Sequence, residues 1–211
     1  TGQRHQRERS RGPLRSVDEI MRVNGPVTQA EYVLPDDEVI ITHTDPSSRI
    51  TYANPAFLSS SEFSLEECLG QPQNIVRHPD IPREVFADLW TTIRSGRSWT
   101  GIVKNRRKSG GFYWVRANIT PMMDGGRIVG YKSVRVKPTR DEIQQSERIY
   151  ADIRNGRARN LQIKEGNVVD TSMLGAAKRM LSPSLRAGTW VVVGFLSALL
   201  ATMTAMSFAQ S

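Results

Sequence analysis

Two glycine pairs, Gly110-Gly111 and Gly125-Gly126, cut the stretch from Ser98 to Pro138 into three runs, SWTGIVKNRRK, FYWVRANITPMM and RIVGYKSVRVKP. Glycine pairs supply the positive backbone angles of tight hairpin turns. Runs rich in β-branched and aromatic residues on either side of them predict three strands in an antiparallel meander. A second strand signal stands earlier. EVIITHTD is a β-branched run ending in the turn Asp45-Pro46-Ser47-Ser48, and RITYAN follows it, which predicts a hairpin. Short helical pieces lie between the two groups: NPAFLSS, then SLEECLGQ, in which Ser64 and Glu67 are spaced as a capping box and Gly70 is a natural stop. After Pro82 comes REVFADLWTTIR, where Val85, Leu89 and Ile93 recur at four-residue intervals beside Phe86 and Trp90, so one broad face is buried. The expected fold class is α+β, a five-stranded antiparallel sheet with short helices on one face. The hollow beneath such helices is of ligand size.

The flanks read differently. Residues 1–25 are arginine-rich and without periodicity, which predicts a disordered basic N-terminal segment. The sheet domain takes 26–137, and 138–187 reads as a membrane-proximal linker with one helix from TRDEIQQSERIYADIR. In 188–211 the run from Thr189 to Gln210 has no charged residue and is long enough to cross the hydrocarbon core, so one transmembrane helix is expected. Trp190 lies at its edge. Lys178, Arg179 and Arg186 precede it and nothing basic follows, which places the domain in the cytoplasm, on the inner membrane. A basic flank beside an anionic membrane accounts for much of the net charge of +8, so no nucleic-acid partner is expected. The single cysteine, Cys68, excludes an internal disulfide and a cysteine metal cluster. There is no P-loop, no G-x-S-x-G and no histidine pair at metal spacing, so neither an enzyme nor a metal site is expected.

The chemistry concentrates between Gln71 and Arg116. Arg77, His78, Pro79 and Asp80 form an acid/base turn just before a helix start, where backbone N–H groups attract anions. Asp80 is expected to orient Arg77 or His78, or to cap that helix. Trp99 and Tyr113 on neighbouring strands can line a flat apolar slot, and Asn105 and Asn118 can offer amide donors and acceptors. Lys104, Arg106, Arg107 and Lys108 read as a solvated strand face or a membrane-facing patch. This set suits a flat aromatic cofactor with an anionic tail. Haem on His78 or His43, or a cofactor-free interaction module, are the alternatives; a photosensory role would need a reactive cysteine, and Cys68 stands outside any motif suited to it.

ITYANPAF, GQPQNIVRHPDIPREVFADLW and WTGIVKNRRKSGGFYWVRAN, in this order of two strands, short helices and three strands, resemble the flavin-binding PAS domain of bacterial aerotaxis receptors. The similarity is dense over about residues 26–136 and weaker up to the apolar run. It implies a PAS fold, non-covalent FAD, and a cytoplasmic-facing sensor of oxygen or redox state that signals in aerotaxis. By the same resemblance, Asn54, Arg77, His78, Asp80, Phe86, Trp90, Trp99, Asn105 and Tyr113 hold the flavin. The expected partners are the cytoplasmic membrane, a second copy in a homodimer, and chemotaxis signalling proteins or a separate signalling domain. In the family, further cytoplasmic signalling regions follow the anchor, whereas these residues end at Ser211.

Overall fold

The computed structural model describes residues 24–172; the expected disordered segment, for its first 23 residues, and the apolar run lie outside them. Among the described residues no helix is long and apolar enough to cross a membrane. The chain divides into two compact units. One holds the described residues up to Arg159 together with Ile163–Asn167. The other holds Asn160–Gln162 and the described residues from Val168 to Ser172, and in it the Thr171 N–H and hydroxyl both donate to the Asn160 carbonyl.

The first unit is built on a five-stranded antiparallel sheet. Strands β1 (Ile40–Thr44) and β2 (Ile50–Ala53) form the early hairpin, and β3 (Trp99–Arg106), β4 (Phe112–Asp124) and β5 (Arg127–Val136) form the meander. The order across the sheet is β2-β1-β5-β4-β3, so β1 joins the hairpin to the last strand of the meander. Gly125 and Gly126, both at positive φ, make the two-residue turn that pairs Asp124 with Arg127. An irregularity follows at once. Met122 faces Gly130 while Met123 faces Ile128, so Val129 is an extra residue on β5.

Helix α1 (Pro55–Ser61) starts at Asn54, whose side chain accepts from the Phe57 N–H, with Pro55 preset for a first turn. Helix α2 (Leu65–Cys68) carries the expected Ser64/Glu67 capping box. A 3-10 turn (Gln73–Val76) leads into Arg77, and α3 (Arg83–Arg94) follows with Pro82 as its first non-helical residue and no side-chain cap. Phe57, Cys68, Val85, Leu89 and Ile93 from these helices fill the core against one face of the sheet. In the region read as a linker, α4 (Arg140–Arg154) has its own Thr139/Glu142 capping box and buries Ile143 and Tyr150. Two short strands not expected there, β6 (Leu161–Lys164) and β7 (Asn167–Asp170), form a ribbon.

Candidate cofactor site

Strand pairing decides which side chains share a face. Asn105 pairs with Tyr113, Gly101 with Ala117 and Trp99 with Ile119; across β4, Ala117 pairs with Arg135 and Ile119 with Ser133, which also faces Thr42. Trp99, Asn105, Tyr113, Ser133, Arg135 and Thr42 therefore lie on one side, beneath α1 and α3. Arg116 on the other side contacts Glu142 of α4, so α4 covers the opposite face.

The inner face holds an unusual set of polar atoms. Tyr113 is wholly buried, and among the described residues its hydroxyl, Asn105 Nδ2 and Ser133 Oγ have no hydrogen-bond partner. Burial pushes the Tyr113 phenol up to about 12, against the nearby Arg135 charge and then the Asn105 side chain, which lies close without reaching hydrogen-bond geometry. Arg135 is 5% exposed and makes one hydrogen bond, from Nη1 to Thr42 Oγ1 at 3.0 Å, with the Phe57 ring 5.9 Å from its guanidinium. Burial lowers its pKa, and no carboxylate pairs with it among the described residues. Each orphaned buried donor or acceptor costs about 1–3 kcal/mol, so several on one face point to a ligand carrying the complementary polar edge. An isoalloxazine ring has such an edge of N–H and C=O groups beside a flat apolar body, and the residues present fit it.

Arg77 joins this face at the free edge of β3. Its backbone bridges to Asn105, its guanidinium lies 4.3 Å above the Phe86 ring, and Nη2 donates to the Ile81 carbonyl at 3.4 Å. The next residues of the motif fall on the other side of the same edge. Lys104 Nζ sits 2.7 Å from Asp80 Oδ2 and 4.0 Å from the centre of the Phe112 ring. His78 Nδ1 accepts from the Asp80 N–H at 3.1 Å and lies 3.5 Å from the Asp80 carboxylate. Arg154 of α4 donates to the Asp80 carbonyl. The Arg-His-Pro-Asp turn thus straddles the sheet edge, with Arg77 inside and His78 and Asp80 outside. Asp80 caps no helix.

This overturns the solvated reading of Lys104 and Arg106, which are 3% and 6% exposed. The motif turn and α4 cover Lys104, and Arg106 donates to the carbonyls of Gly25, Pro26 and Lys108, which brings the N-terminal segment over it. Arg107 is half-buried and Lys108 exposed.

Burial, then the Lys104 charge, pushes the His78 imidazole down to about 4, against the partial opposition of Asp80; Arg154 and Arg106 add to the lowering. The imidazole is neutral at pH 7. Because the unfolded chain binds this proton more readily, the contribution is complete above the unfolded value of 6.5 and is lost as pH falls from there towards about 4. We expect the urea midpoint to drop between pH 7 and pH 5, and the drop to shrink in His78→Gln. Carboxylates such as Asp80, whose pKa is lowered, act only below that window.

The remaining expected residues have other surroundings. Asn54 is fully engaged with backbone: Oδ1 accepts from Phe57 and Ile41, and Nδ2 donates to the Val39 carbonyl. Trp90 meets Tyr131 edge-on at 5.7 Å and lies under Arg94. Trp99 is about 20 Å along β3 from Asn105, given about 3.3 Å per residue. Its ring is folded onto Gly101, where a Cβ would come within 2.4 Å, and its Nε1–H donates to Asp88 Oδ2 at 2.7 Å. Asn118, expected as an amide donor, faces the other side and donates to Thr100 Oγ1. Cys68 is buried, its thiol pushed up to about 11, so it is no reactive thiolate. Sequence reasoning missed Arg135, Ser133 and Thr42.

A family described as PAS fold matches residues 38–156. The aerotaxis receptor of Escherichia coli is 47% identical over 149 residues, covering 71% of this chain and 29% of the receptor. A nitrogen fixation regulatory protein of Klebsiella pneumoniae is 36% identical over 86 residues, 41% of this chain and 17% of that protein. The chain thus spans less than a third of either relative. A solved light-oxygen-voltage domain, from a study of a flavin analogue, superposes with a TM-score of 0.47 at 25% identity, covering 56% of this chain and 85% of that one.

Proposed function

The chain belongs to the PAS fold family, and on that premise we propose that its inner sheet face binds FAD non-covalently and that the chain is a membrane-anchored redox or oxygen sensor signalling in aerotaxis. The observation that carries the reading is the group of buried, partnerless polar atoms at Asn105, Tyr113 and Ser133 on one face. The 47% identity to an aerotaxis receptor supports the physiological role and the chemotaxis partners, and Lys178, Arg179 and Arg186 before the apolar run support the cytoplasmic orientation. The uncharged run from Thr189 to Gln210 supports the membrane anchor, and a homodimer is part of the same proposal. Haem is disfavoured, since His78 lies outside the sheet edge and His43, paired with Lys132, shares the outer face with Tyr52 at 5.0 Å.

A bound flavin would supply reversible reduction, with a change of charge and protonation at its ring edge. Asn105 and Tyr113 hold the groups that must then re-pair, and failing to do so costs about 1–3 kcal/mol. That suffices to bias an element poised within a few kcal/mol of balance. Asn105 shares the β3 edge with Arg77, and the same turn reaches α4 through Asp80 and Arg154. A rearrangement at the inner face therefore has a short covalent route to the outer face.

The test is a titration of the purified full chain with FAD, followed by quenching of flavin fluorescence. Saturable uptake is expected. Asn105→Val and Arg77→Met are each expected to weaken it roughly tenfold or more, the loss of one or two polar contacts. Uptake unchanged in both variants would remove this face as the site.

A further inference from the structure

We propose that Arg135 is the counter-cation for an anionic group of the bound cofactor. The inference rests on the FAD reading and adds to it. A guanidinium carries five N–H donors and is always charged. Arg135 lies on the same face as Tyr113, Asn105 and Ser133, is 95% buried by its 5% exposure, and directs one hydrogen bond to a neutral hydroxyl, Thr42 Oγ1. Near it also stand the Phe57 ring and the Tyr113 phenol, which stays protonated. Two other buried cations of the unit are well partnered: Lys104 has Asp80, and Arg106 has the carbonyls of Gly25, Pro26 and Lys108. A buried charge is tolerated when paired. The pairing that Arg135 lacks among the described residues is the one an anionic ligand supplies, and the neighbouring partnerless hydroxyls and amide give that ligand a polar wall.

Two parts of the cofactor carry such charge. One is the diphosphate bridge. The other is the ring itself, which holds one negative charge after taking up two electrons from a reductant, dithionite in the test below, and one proton from the solvent. The full chain and its Arg135→Met and Arg135→Lys variants are titrated with FAD and with riboflavin, which lacks phosphate, and the midpoint potential of each loaded protein is measured. If Arg135 meets the diphosphate, Arg135→Met loses roughly 10- to 100-fold in affinity for FAD and little for riboflavin. If it meets the ring, both oxidised ligands bind nearly as before and the midpoint falls, by about 30 mV for each tenfold loss of preference for the reduced form. Either pattern supports the proposal, and Arg135→Lys, which keeps the charge, is expected to stay close to the parent in both readouts. Should Arg135→Met fail to fold by circular dichroism, the lysine variant decides: a folded Arg135→Lys that has lost FAD affinity and shifted potential as a neutral residue would overturns the charge role. An Arg135→Met protein that matches the parent in affinity ratio and potential overturns the proposal alone. A parent chain that takes up neither flavin overturns it together with the cofactor reading.

Discussion

Replacing Asp80 with alanine is expected to destabilise the domain by about 3 kcal/mol, and replacing its partner Lys104 with methionine by distinctly less. The asymmetry follows from where the two charges sit. The Lys104 side chain is 4% exposed and the Asp80 side chain 44%. Removing Asp80 leaves a buried ammonium with its nearest compensation in the faces of Phe112 and Trp114, at 4.0 and 5.8 Å. Those contacts are each worth about 0.5–2 kcal/mol and do not replace an ion pair. Removing Lys104 leaves a carboxylate that water already reaches, and methionine keeps most of the apolar stem packed. The double variant Asp80→Ala/Lys104→Met should recover much of the loss of the first, because no buried charge remains. Urea unfolding of the four proteins, followed by circular dichroism, reads this directly. Equal losses in both single variants, or a double variant that merely sums them, would mean that the pair is not buried as described.

The other large effect is expected at Trp99. Trp99→Ala should cost about 3–5 kcal/mol, the usual range for emptying a fully buried aromatic site. The site has little means of collapse, since the indole packs onto Gly101 of its own strand and lies beside Gly166. Its edge also matters. Asp88 of α3 accepts from Trp99 Nε1, from the Glu165 N–H at 2.9 Å and from the Gly166 N–H at 2.8 Å, so one carboxylate ties β3 to the tip of the β6–β7 ribbon. Trp99→Phe keeps most of the volume and gives up one of these three donors, for about 1–2 kcal/mol. Thermal unfolding ranks the two variants. Hydrogen exchange adds a local test: the Glu165 and Gly166 amides should lose protection in Asp88→Ala and keep most of it in Trp99→Phe.

Much of the fold was legible because its signals are local. The glycine pairs at 110–111 and 125–126 mark the turns of the meander, and Ser64 with Glu67 forms the predicted cap. The inner face was read less well, and one residue explains why. Counting two by two through a plain Gly125-Gly126 hairpin pairs Ala117 with Val134, which turns valines inward and Ser133 and Arg135 to solvent. The extra residue at Val129 shifts the register by one and reverses that assignment for the rest of β5. A single bulge therefore hid Arg135, since the sequence RIVGYKSVRVKP looks like an ordinary half-exposed strand. Lys104 and Arg106 were misread for a different reason. What buries them comes from Asp80, α4 and Gly25-Pro26, far off in the chain, and no short-range pattern announces it. Of the residues drawn from the resemblance, Arg77, Phe86, Asn105 and Tyr113 gather at one end of the inner face. Asn54 serves the backbone of α1 and β1, and His78 and Asp80 support the turn from outside.

The central claim, that the inner sheet face is a flavin site, is tested most directly by the absorbance spectrum of the full chain as purified, with acid release to identify what is bound. A yellow protein with flavin bands that releases FAD is expected. A colourless protein that stays colourless after incubation with FAD would contradict it.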